Sequence, residues 1–219
     1  MMFGRVIITS GPTVEPIDPV RYISNRSSGK TGFQLAEEAK RRGYGEIIFI
    51  TGPSSFIPVG VTVIAVETAL QMQEQLALYA KAAQVIVMAA AVGDYRVQHV
   101  YPQKIKKNAD RLVLELVKNP DLLQQLGQQK PPGQILVGFA AETDHILENA
   151  TLKFNKKNLD LLVLNEISTL NPAFDVDENQ VYFVTSGGTR KLEKMSKALL
   201  SQQIWDEIEK KRNDSKLKV

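Results

Sequence analysis

Cysteine is absent from the 219 residues, and histidine occurs only at His99 and His145. The missing cysteine excludes disulfides, thiolate nucleophiles, iron–sulfur clusters and cysteine zinc sites. Two histidines are too few for a histidine-built zinc centre and leave little room for a triad with a histidine base. The chain also lacks a run of about 18 apolar residues, and its start has no signal-peptide pattern. We therefore expect a cytoplasmic protein that does not enter a membrane.

An excess of charge of one sign is also missing. Lysine and arginine number 27 against 24 acidic residues, a formal net charge of +3. That balance does not indicate a nucleic-acid-binding protein. Hydrophobic residues make up 43% and charged residues 23% of the chain, as in soluble globular proteins. We expect one domain over residues 1–212 and a polar tail over 213–219 that frays.

Strands and helices alternate along most of the chain. The predicted strands are continuous apolar runs at 5–9, 46–51, 61–66, 85–88, 112–117, 135–139 and 161–164. Helices are predicted over 30–42, 69–83 and 144–158, and a final helix follows Ser196. Another begins with Asn119 as its N-cap and Pro120 as its first residue. In the helix 144–158, Leu147, Ala150 and Phe154 are expected to be buried. Unbroken apolar strands that alternate with helices predict an α/β, Rossmann-like, mostly parallel sheet with helices on both faces. A long exposed loop over 92–110 and a hairpin over 181–189 are added to it.

Segment 24–31 ends in Gly-Lys-Thr before a predicted helix, as a P-loop does. It is not a P-loop by pattern, because Ser24 stands where a glycine is needed and many residues separate it from the preceding strand. The hydroxyl groups of Ser27 and Ser28, Gly29 and the free amides of a helix start are suited to an anion. The alternative is that Ser27 or Ser28 is simply a helix N-cap.

Lysines cluster at two places. Lys104, Lys106 and Lys107 lie close together in the long loop, and Lys153 and Lys157 share one face of a predicted helix. Like charges at these spacings repel, and a bound polyphosphate would turn the repulsion into attraction. Solvated lysines are the alternative at both places. With little apolar surface to bury, the segment 104–107, named the flap below, should be mobile without a ligand.

Three further side chains are candidates at strand ends. Asp94 and Asp121 could hydrogen-bond a sugar or base or reach a magnesium ion, and either could instead cap a turn or helix. Phe139 could stack on a base or belong to the core. In an open parallel sheet, ligands bind at the carboxyl ends of the strands, where Asp94 and Phe139 are predicted.

Five segments in order closely resemble one enzyme family, phosphopantothenate–cysteine ligase, also called phosphopantothenoylcysteine synthetase. The segments are 18–30 (DPVRYISNRSSGK), 89–96 (AAAVGDYR), 104–107 (KIKK), 118–121 (KNPD) and 138–143 (GFAAET). The resemblance covers nearly the whole chain. It implies that phosphopantothenate is activated by CTP to an acyl-cytidylate and then joined to L-cysteine, with release of pyrophosphate and CMP.

The resemblance also implies roles for individual residues. Asn25 matches the asparagine that handles the acyl-cytidylate, Arg21 lies on the same segment, and Lys104 matches the flap lysine that helps to form the intermediate. The nucleotide contacts of the family match Met88, Ala89, Ala90, Asp94, Lys104, Pro120, Asp121, Leu122, Leu123, Phe139, Lys153 and Lys157. Magnesium is expected with the triphosphate, its protein ligands are unknown, and no flavin is expected in this domain.

Partners follow from the same resemblance. The family forms homodimers, and some bacterial members are fused to a flavin-dependent decarboxylase. From the residues alone, two alternatives stay open. One is an NAD(P)- or flavin-binding oxidoreductase on the same fold, which needs a glycine-rich turn directly after the first strand, where segment 10–13 reads SGPT. The other is a nucleic-acid-binding module that uses the lysine clusters, against which the mixed charge argues.

Overall fold

The computed structural model describes residues 3–107, 110–142, 146–167 and 176–216. The strands in chain order are β1 (Phe3–Ser10), β2 (Val14–Pro16), β3 (Tyr22–Ser24), β4 (Tyr44–Thr51), β5 (Thr62–Ala65), β6 (Val85–Met88), β7 (Tyr95–Val97), β8 (Leu116–Lys118), β9 (Ile135–Glu142), β10 (Leu161–Glu166), β11 (Glu178–Asn179), β12 (Val181–Thr185), β13 (Gly188–Lys191) and β14 (Met195–Ser196). The helices are α1 (Lys30–Arg41), α2 (Ala69–Tyr79), α3 (Leu122–Gln129), α4 (Ile146–Lys156) and α5 (Lys197–Lys216), with a 3-10 turn at Ala80–Ala82.

Eight strands form the central sheet in the order β13-β12-β10-β9-β6-β1-β4-β5. Six are parallel, and β12 and β13 add the predicted antiparallel hairpin at one edge. The chain first moves from β1 outward to β4 and β5, then returns to β6 on the other side of β1. Such a reversal opens a crevice at the carboxyl ends of the two central strands. The predicted Rossmann-like α/β fold is confirmed.

Each face of the sheet carries its own apolar core. Because side chains alternate along a strand, Val6 and Ile8 face one way and Ile7 faces the other. The first pair packs in one buried cluster with α1 and α5, including the fully buried Trp205. Ile7 packs in a second cluster with α2, α3 and α4, including Phe154. The helices therefore cover both faces, as predicted.

The start of α2 agrees with the predicted helix start at residue 69, whereas the start of α3 does not agree with its prediction. Thr68 caps α2, with its hydroxyl 3.2 Å from the Gln71 amide, while the Gln71 side chain accepts from the Thr68 amide at 3.1 Å. The prediction of Asn119 as N-cap and Pro120 as first residue of α3 is wrong. Asp121 is the N-cap and accepts from the Gln124 amide at 2.9 Å.

Asn119 is used elsewhere, which explains the shift. Its amide nitrogen donates to the Gly93 carbonyl oxygen at 2.8 Å, and its amide oxygen accepts from Arg96 at 3.1 Å. Both groups of the side chain therefore bind the segment after β6, and neither is free to cap α3.

The predicted strand over 112–117 and the structureless loop over 92–110 are both wrong in part. Within 112–117, only residues 116 and 117 are extended, as part of β8, and the expected loop contains β7, with which β8 pairs antiparallel apart from the central sheet. Val113 is 84% exposed. The apolar run imitates a buried strand in composition, but it belongs to a small excursion outside the core.

The remaining helices differ from prediction at their ends. α4 begins at Ile146, while residues 143–145, where the predicted start falls, lie outside the described residues. Leu147, predicted to be buried, is half exposed, and Ile146 makes the core contact at that turn instead. α5 continues to Lys216, so the described part of the predicted frayed tail is helical. In the described part of the chain, no helix is both long and apolar enough to cross a bilayer.

Candidate active site

A cleft of about 870 Å³ lies at the carboxyl ends of the central strands. Its wall is formed by the start of α1, the segment after β6, the start of α3, the end of β9 and two lysines at the end of α4. This is the crevice that the strand order opens between β1 and β6. Its position agrees with the rule that open α/β sheets bind ligands at a switch point.

The start of α1 is shaped by glycine. Gly29 is the N-cap with φ of 82°, a left-handed conformation that favours glycine, and its carbonyl accepts from the Ser10 hydroxyl at 2.9 Å. A Cβ on Gly32 would meet the Ser10 hydroxyl oxygen at 2.3 Å, so the helix packs directly on the end of β1. Neither Ser27 nor Ser28 is the N-cap residue of α1, although Ser28 Oγ accepts from the Lys30 amide at 3.4 Å. Both serines line the cleft beside the amides of the first turn.

Asn25 follows β3 and crosses to the segment after β6. Its amide nitrogen donates to the carbonyl oxygens of Ala91 and Val92, each at 3.2 Å. The side chain is nevertheless exposed and lines the cleft. Because the amide nitrogen faces the Ala91 and Val92 carbonyls, the orientation of the whole amide group is fixed. The amide oxygen, which has no hydrogen bond within the described residues, is the group that could contact a ligand.

Two buried threonines fix the segment after β6. Thr9 Oγ1 accepts from the Ala90 amide at 3.1 Å, and Thr13 Oγ1 accepts from the Gly93 amide at 2.9 Å. Both threonines are fully buried. The backbone of 88–94, which contains the expected nucleotide contacts, is therefore held by hydrogen bonds to the neighbouring strand end.

The wall formed by α3 and α4 consists of two ion pairs. Lys157 Nζ lies 2.9 Å from Asp121 Oδ2, and Lys153 pairs with Glu142 at the end of β9. The like-charge lysine pair noticed in the sequence is thus compensated by carboxylates from two different elements. An anionic ligand that binds here would replace the carboxylates as the partner of lysines that are already in position.

Lysines outnumber aspartates among the described residues that line the cleft, and three of the five lysines are paired with carboxylates. Its described lining residues include the lysines Lys30, Lys118, Lys153, Lys157 and Lys197 and the aspartates Asp94 and Asp121. A concave surface with that excess attracts polyanions. Phe139 lines the cleft and also packs against the core shared with α1 and α5, so the two alternatives left open for it are compatible.

Most of the residues singled out in the sequence come together here. Those that line the cleft are Asn25, Ser27, Ser28, Gly29, Met88, Ala89, Ala90, Asp94, Pro120, Asp121, Leu122, Leu123, Phe139, Lys153 and Lys157. Arg21 and Lys104 are not among its lining residues. Arg21 contacts the flap at Ile105, the residue that follows Lys104.

That contact corrects the expectation that nothing holds the flap without a ligand. The Ile105 amide donates to Asp18 Oδ2 at 3.1 Å, and its carbonyl accepts from Arg21 Nη2 at 2.9 Å. Burial alone would raise the pKa of Asp18, but hydrogen bonds from the Ile105, Val20 and Arg21 amides and the Arg21 charge outweigh it, so that pKa is lowered. Lys104, Lys106 and Lys107 remain exposed.

Sequence reasoning missed a further side of the cleft. Lys30 pairs with Asp177, and this hydrogen bond and charge hold the pKa of Asp177 below its usual range. Lys197 and Asn179, both buried, also line the cleft. Lys197 is the first residue of α5, where a positive charge is unfavourable because of the helix dipole. That unfavourable position is the signal in the sequence that could have indicated a binding role for Lys197. Asn179 belongs to a two-residue strand that no periodicity could reveal.

A family model described as the DNA/pantothenate metabolism flavoprotein C-terminal domain matches residues 2–211. The chain belongs to that family. Among curated relatives, the coenzyme A biosynthesis bifunctional protein CoaBC of Escherichia coli (strain K12) is 42% identical over 208 residues, which is 93% of this chain and 51% of the relative. The CoaBC protein of Bacillus subtilis (strain 168) is 42% identical over 207 residues, 93% of this chain and 50% of its own. The chain thus spans about half the length of these relatives.

Solved structures agree on the fold of this flavoprotein C-terminal domain. The C-terminal domain of a coenzyme A biosynthesis bifunctional protein CoaBC superposes with a TM-score of 0.82 at 35% identity and covers 98% of both chains. A Cab2 mutant in complex with phosphopantothenate-cysteine gives a TM-score of 0.76 at 22% identity, over 97% of this chain and 87% of that one. At that identity, the second similarity concerns the fold alone.

Proposed function

We propose that the domain is a phosphopantothenate–cysteine ligase that uses CTP. The observation that carries the proposal is the cationic cleft at the switch point, lined by the starts of two helices and by lysines from α1, α4 and α5. The relatives support it, because they are bifunctional proteins of coenzyme A biosynthesis, and a protein of the same fold was solved with phosphopantothenate-cysteine. The substrates are phosphopantothenate, L-cysteine and CTP.

The reaction has two steps. A carboxylate oxygen of phosphopantothenate attacks the α-phosphorus of CTP, the bond to the bridging oxygen of the β-phosphate breaks, and pyrophosphate leaves. The cysteine amine then attacks the acyl carbon, loses its proton to solvent and expels CMP. Neither step requires a histidine or thiol, because stabilising the charge on the phosphates is the main demand.

Each wall of the cleft has a task in this reaction. Lys153 and Lys157 exchange Glu142 and Asp121 for phosphate oxygens, and the start of α3 offers its amides beside them. Asn25, with its amide nitrogen held by Ala91 and Val92, presents its oxygen to the acyl-cytidylate. The Ser27–Gly29 loop receives a second anionic group.

The proposed nucleotide preference is for CTP over ATP. Hydrogen bonds to Thr9, Thr13 and Asn119 fix the backbone of segment 88–94. The backbone groups that remain there and at the start of α3 are proposed to meet the edge of a small base. Phe139 offers a ring for stacking at the same edge. A rigid frame of this kind discriminates between bases of different size.

Magnesium is proposed to arrive with the triphosphate. Among the described residues, no three His, Cys, Asp or Glu side chains come together as a metal site. Magnesium usually takes one or two carboxylates with substrate phosphates and water, and Asp94 and Asp121 could supply them. When bound, the ion would neutralise charge on the leaving pyrophosphate.

Assembly and context belong to the same proposal. Large apolar side chains are exposed on the two small hairpins β2–β3 and β7–β8 and on the segments beside them, namely Val20, Tyr22, Tyr95, Val100, Tyr101, Leu112, Val113 and Leu116. We propose that a second copy of the chain covers this surface, named the hairpin surface below, to form a homodimer. We also propose that the additional length of the relatives is a fused flavin-dependent decarboxylase. Flavin would bind to that part and not to this domain, and the reaction would take place in the cytoplasm.

The oxidoreductase alternative lacks support in the fold. A dinucleotide turn joins the first strand directly to a helix, whereas β1 is followed here by Gly11, Pro12 and the hairpin β2–β3 before α1 begins. The relatives are likewise named for coenzyme A biosynthesis.

Pyrophosphate release tests the proposal. With phosphopantothenate, magnesium and CTP but no cysteine, we expect about one pyrophosphate per site, and with cysteine we expect continuous turnover. ATP in place of CTP should lower kcat/KM at least tenfold. Absence of pyrophosphate with both nucleotides would refute the ligase, and equal efficiency would refute only the CTP preference. Omitting phosphopantothenate is the control for simple hydrolysis.

A further inference from the structure

Asp18 joins the loop before β3 to the flap, 87 residues further along the chain. Its Oδ1 accepts from the amides of Val20 at 2.8 Å and Arg21 at 2.9 Å, which closes a local turn. Its Oδ2 accepts from the Ile105 amide at 3.1 Å. The carboxylate is fully buried. A buried carboxylate is costly unless its oxygens are satisfied, so the position of Ile105 is tied to the stability of this turn.

The opposite polar group of Ile105 is engaged by the same loop. Its carbonyl oxygen accepts from Arg21 Nη2 at 2.9 Å, and Arg21 Nη1 lies 3.6 Å from Asp18 Oδ2. One carboxylate and one guanidinium thus hold both the N–H and the C=O of a single flap residue. The Tyr101 amide adds a third contact, to the Ile17 carbonyl at 2.9 Å.

The neighbour of the held residue is Lys104. Consecutive Cα atoms are about 3.8 Å apart, so fixing the Ile105 backbone also fixes the base of the Lys104 side chain. The Lys104 side chain itself is exposed, and within the described residues its ammonium group has no hydrogen bond or ion pair. The backbone is therefore anchored while the ammonium stays available.

We propose that Asp18 is a positioning residue, which acts through the Ile105 amide to hold Lys104 where the acyl-cytidylate forms. This inference rests on the proposed ligase function, and it assigns the flap's docked position to a contact inside the protein rather than to bound nucleotide. Arg21 has the matching role toward the Ile105 carbonyl. The lowered pKa of Asp18 keeps its carboxylate ionised, and the contact intact, throughout the neutral range.

Asp18→Asn tests the contact with little change in size. The remaining oxygen can still close the local turn, but the new NH2 group faces the Ile105 N–H, two donors in opposition. We expect a 10- to 100-fold slower pyrophosphate burst with CTP and phosphopantothenate, since misplacing a reacting group by about 1 Å costs on the order of 100-fold. Asp110→Asn, an exposed carboxylate on the same excursion, is the matched control and should keep the parent rate.

A double-mutant cycle separates positioning from general damage. If Asp18 acts through Lys104, then Asp18→Asn should add little to the loss already caused by Lys104→Gln. The Ile105 amide should also exchange with deuterium faster in Asp18→Asn, with the melting curve of the domain retained. A parent rate in Asp18→Asn, or losses that simply multiply in the double variant, would overturn the inference.

Ile105→Pro reaches the same contact from the flap if Asp18→Asn fails to fold. Proline removes the N–H, while Ile105→Ala keeps both backbone groups and serves as its control. A slow burst in the proline variant alone supports the role of Asp18, and equal rates in the two overturn it. A parent protein that releases no pyrophosphate overturns the ligase function and this inference together, whereas an active parent with unaffected variants overturns only the positioning role.

Discussion

Lys157 Nζ lies 2.9 Å from Asp121 Oδ2, an ion pair that joins the end of α4 to the first residue before α3. Asp121 also caps α3 through the Gln124 amide at 2.9 Å. The lysine is therefore held beside a helix start, where anions are favoured even without it. A phosphate at this place would meet a cation and free amides that are already oriented.

Lys157→Gln should weaken CTP binding. Losing a hydrogen bond to a charged group costs about 1.5–3 kcal/mol, so KM for CTP should rise at least tenfold while kcat changes little. Lys156→Gln is the matched control, because Lys156 is exposed on the adjacent position of α4 and is not among the residues that line the cleft. Steady-state pyrophosphate assays over a range of CTP concentrations measure both. Equal KM values in the two variants would contradict the assignment.

Asn25→Asp should stall the second step. The amide nitrogen that now donates to Ala91 and Val92 would be replaced by an oxygen facing two carbonyl oxygens at 3.2 Å, so the side chain must turn away. We expect the acyl-cytidylate to accumulate, detected by mass spectrometry after quenching, while cysteine-dependent release of CMP falls about 100-fold. Arg26→Gln, exposed and next in sequence, is the control. Full turnover by Asn25→Asp would remove Asn25 from the mechanism.

The central fold could be predicted because its signals are local. Continuous apolar runs such as the one in β6 indicate buried parallel strands, and the helix predicted from residue 69 begins at that residue in α2. The excursion of β7 and β8 could not be placed in this way. Its apolar residues have strand composition, and only three-dimensional pairing shows that they lie outside the central sheet.

The site was predictable to the extent that sequence motifs mark it. Segments 24–31, 88–94 and 118–123 all contribute to one cleft. Only 88–94 directly follows a parallel strand of the central sheet, while the other two follow β3 and β8, which pair outside it. The contacts between distant segments were not predictable. Asp18 and Ile105, or Lys30 and Asp177, are far apart in sequence, and nothing in their local pattern indicates that they meet.

Glu38→Gln should destabilise the domain. Glu38 is 6% exposed and pairs with Arg41 and with Arg42, which also bridges to Asp206 on α5. Removing the carboxylate leaves the largely buried Arg42 with fewer partners, so we expect a loss of about 2 kcal/mol at pH 7, less than for a fully buried pair. Glu37→Gln, which removes an exposed pair with Lys40, should cost less than about 0.5 kcal/mol.

The loss caused by Glu38→Gln should depend on pH. Hydrogen bonding from Arg41, followed by Arg42, lowers the pKa of Glu38 despite its burial. Because the folded pKa lies below the unfolded value of about 4.3, the stabilisation is complete above that value and is lost as pH falls through the folded pKa. Urea unfolding of parent and variant should differ by a constant amount above about pH 4.3 and should converge as the pH falls further below that value. A difference that does not shrink below about pH 4.3 would show that the charge is not the cause.

Val113→Glu should weaken the proposed homodimer. Val113 is 84% exposed on the hairpin surface, and a carboxylate buried in an interface there would lack a partner. We expect the dissociation constant from sedimentation equilibrium to rise at least tenfold. Val59→Glu is the control, because Val59 is 81% exposed in the connection between β4 and β5. If the parent is a monomer at assay concentration with substrates present, the dimer proposal is wrong.

Hydrogen exchange should distinguish the anchored and free parts of the flap. In the free protein, the Ile105 amide should exchange slowly because it donates to the buried Asp18 carboxylate, while Lys106 and Lys107, both exposed, should exchange fast. With CTP and phosphopantothenate bound, Lys104 gains a phosphate partner, and closure of the flap excludes water from the acyl phosphate. Exchange of the Lys104, Lys106 and Lys107 amides should then slow at least tenfold, while the Ile105 amide stays slow in both states.

The connection between β4 and β5, residues 52–61, is the internal reference for that experiment and should keep its exchange rates. Measuring with CTP alone separates nucleotide binding from formation of the intermediate, since the flap should close fully only when both substrates are present. Equal exchange of 103–107 in free and bound protein would mean that the flap is a rigid element. Lys104 would then act from a position that the Asp18 contact holds in both states, and only the closure of the flap on substrate would be wrong.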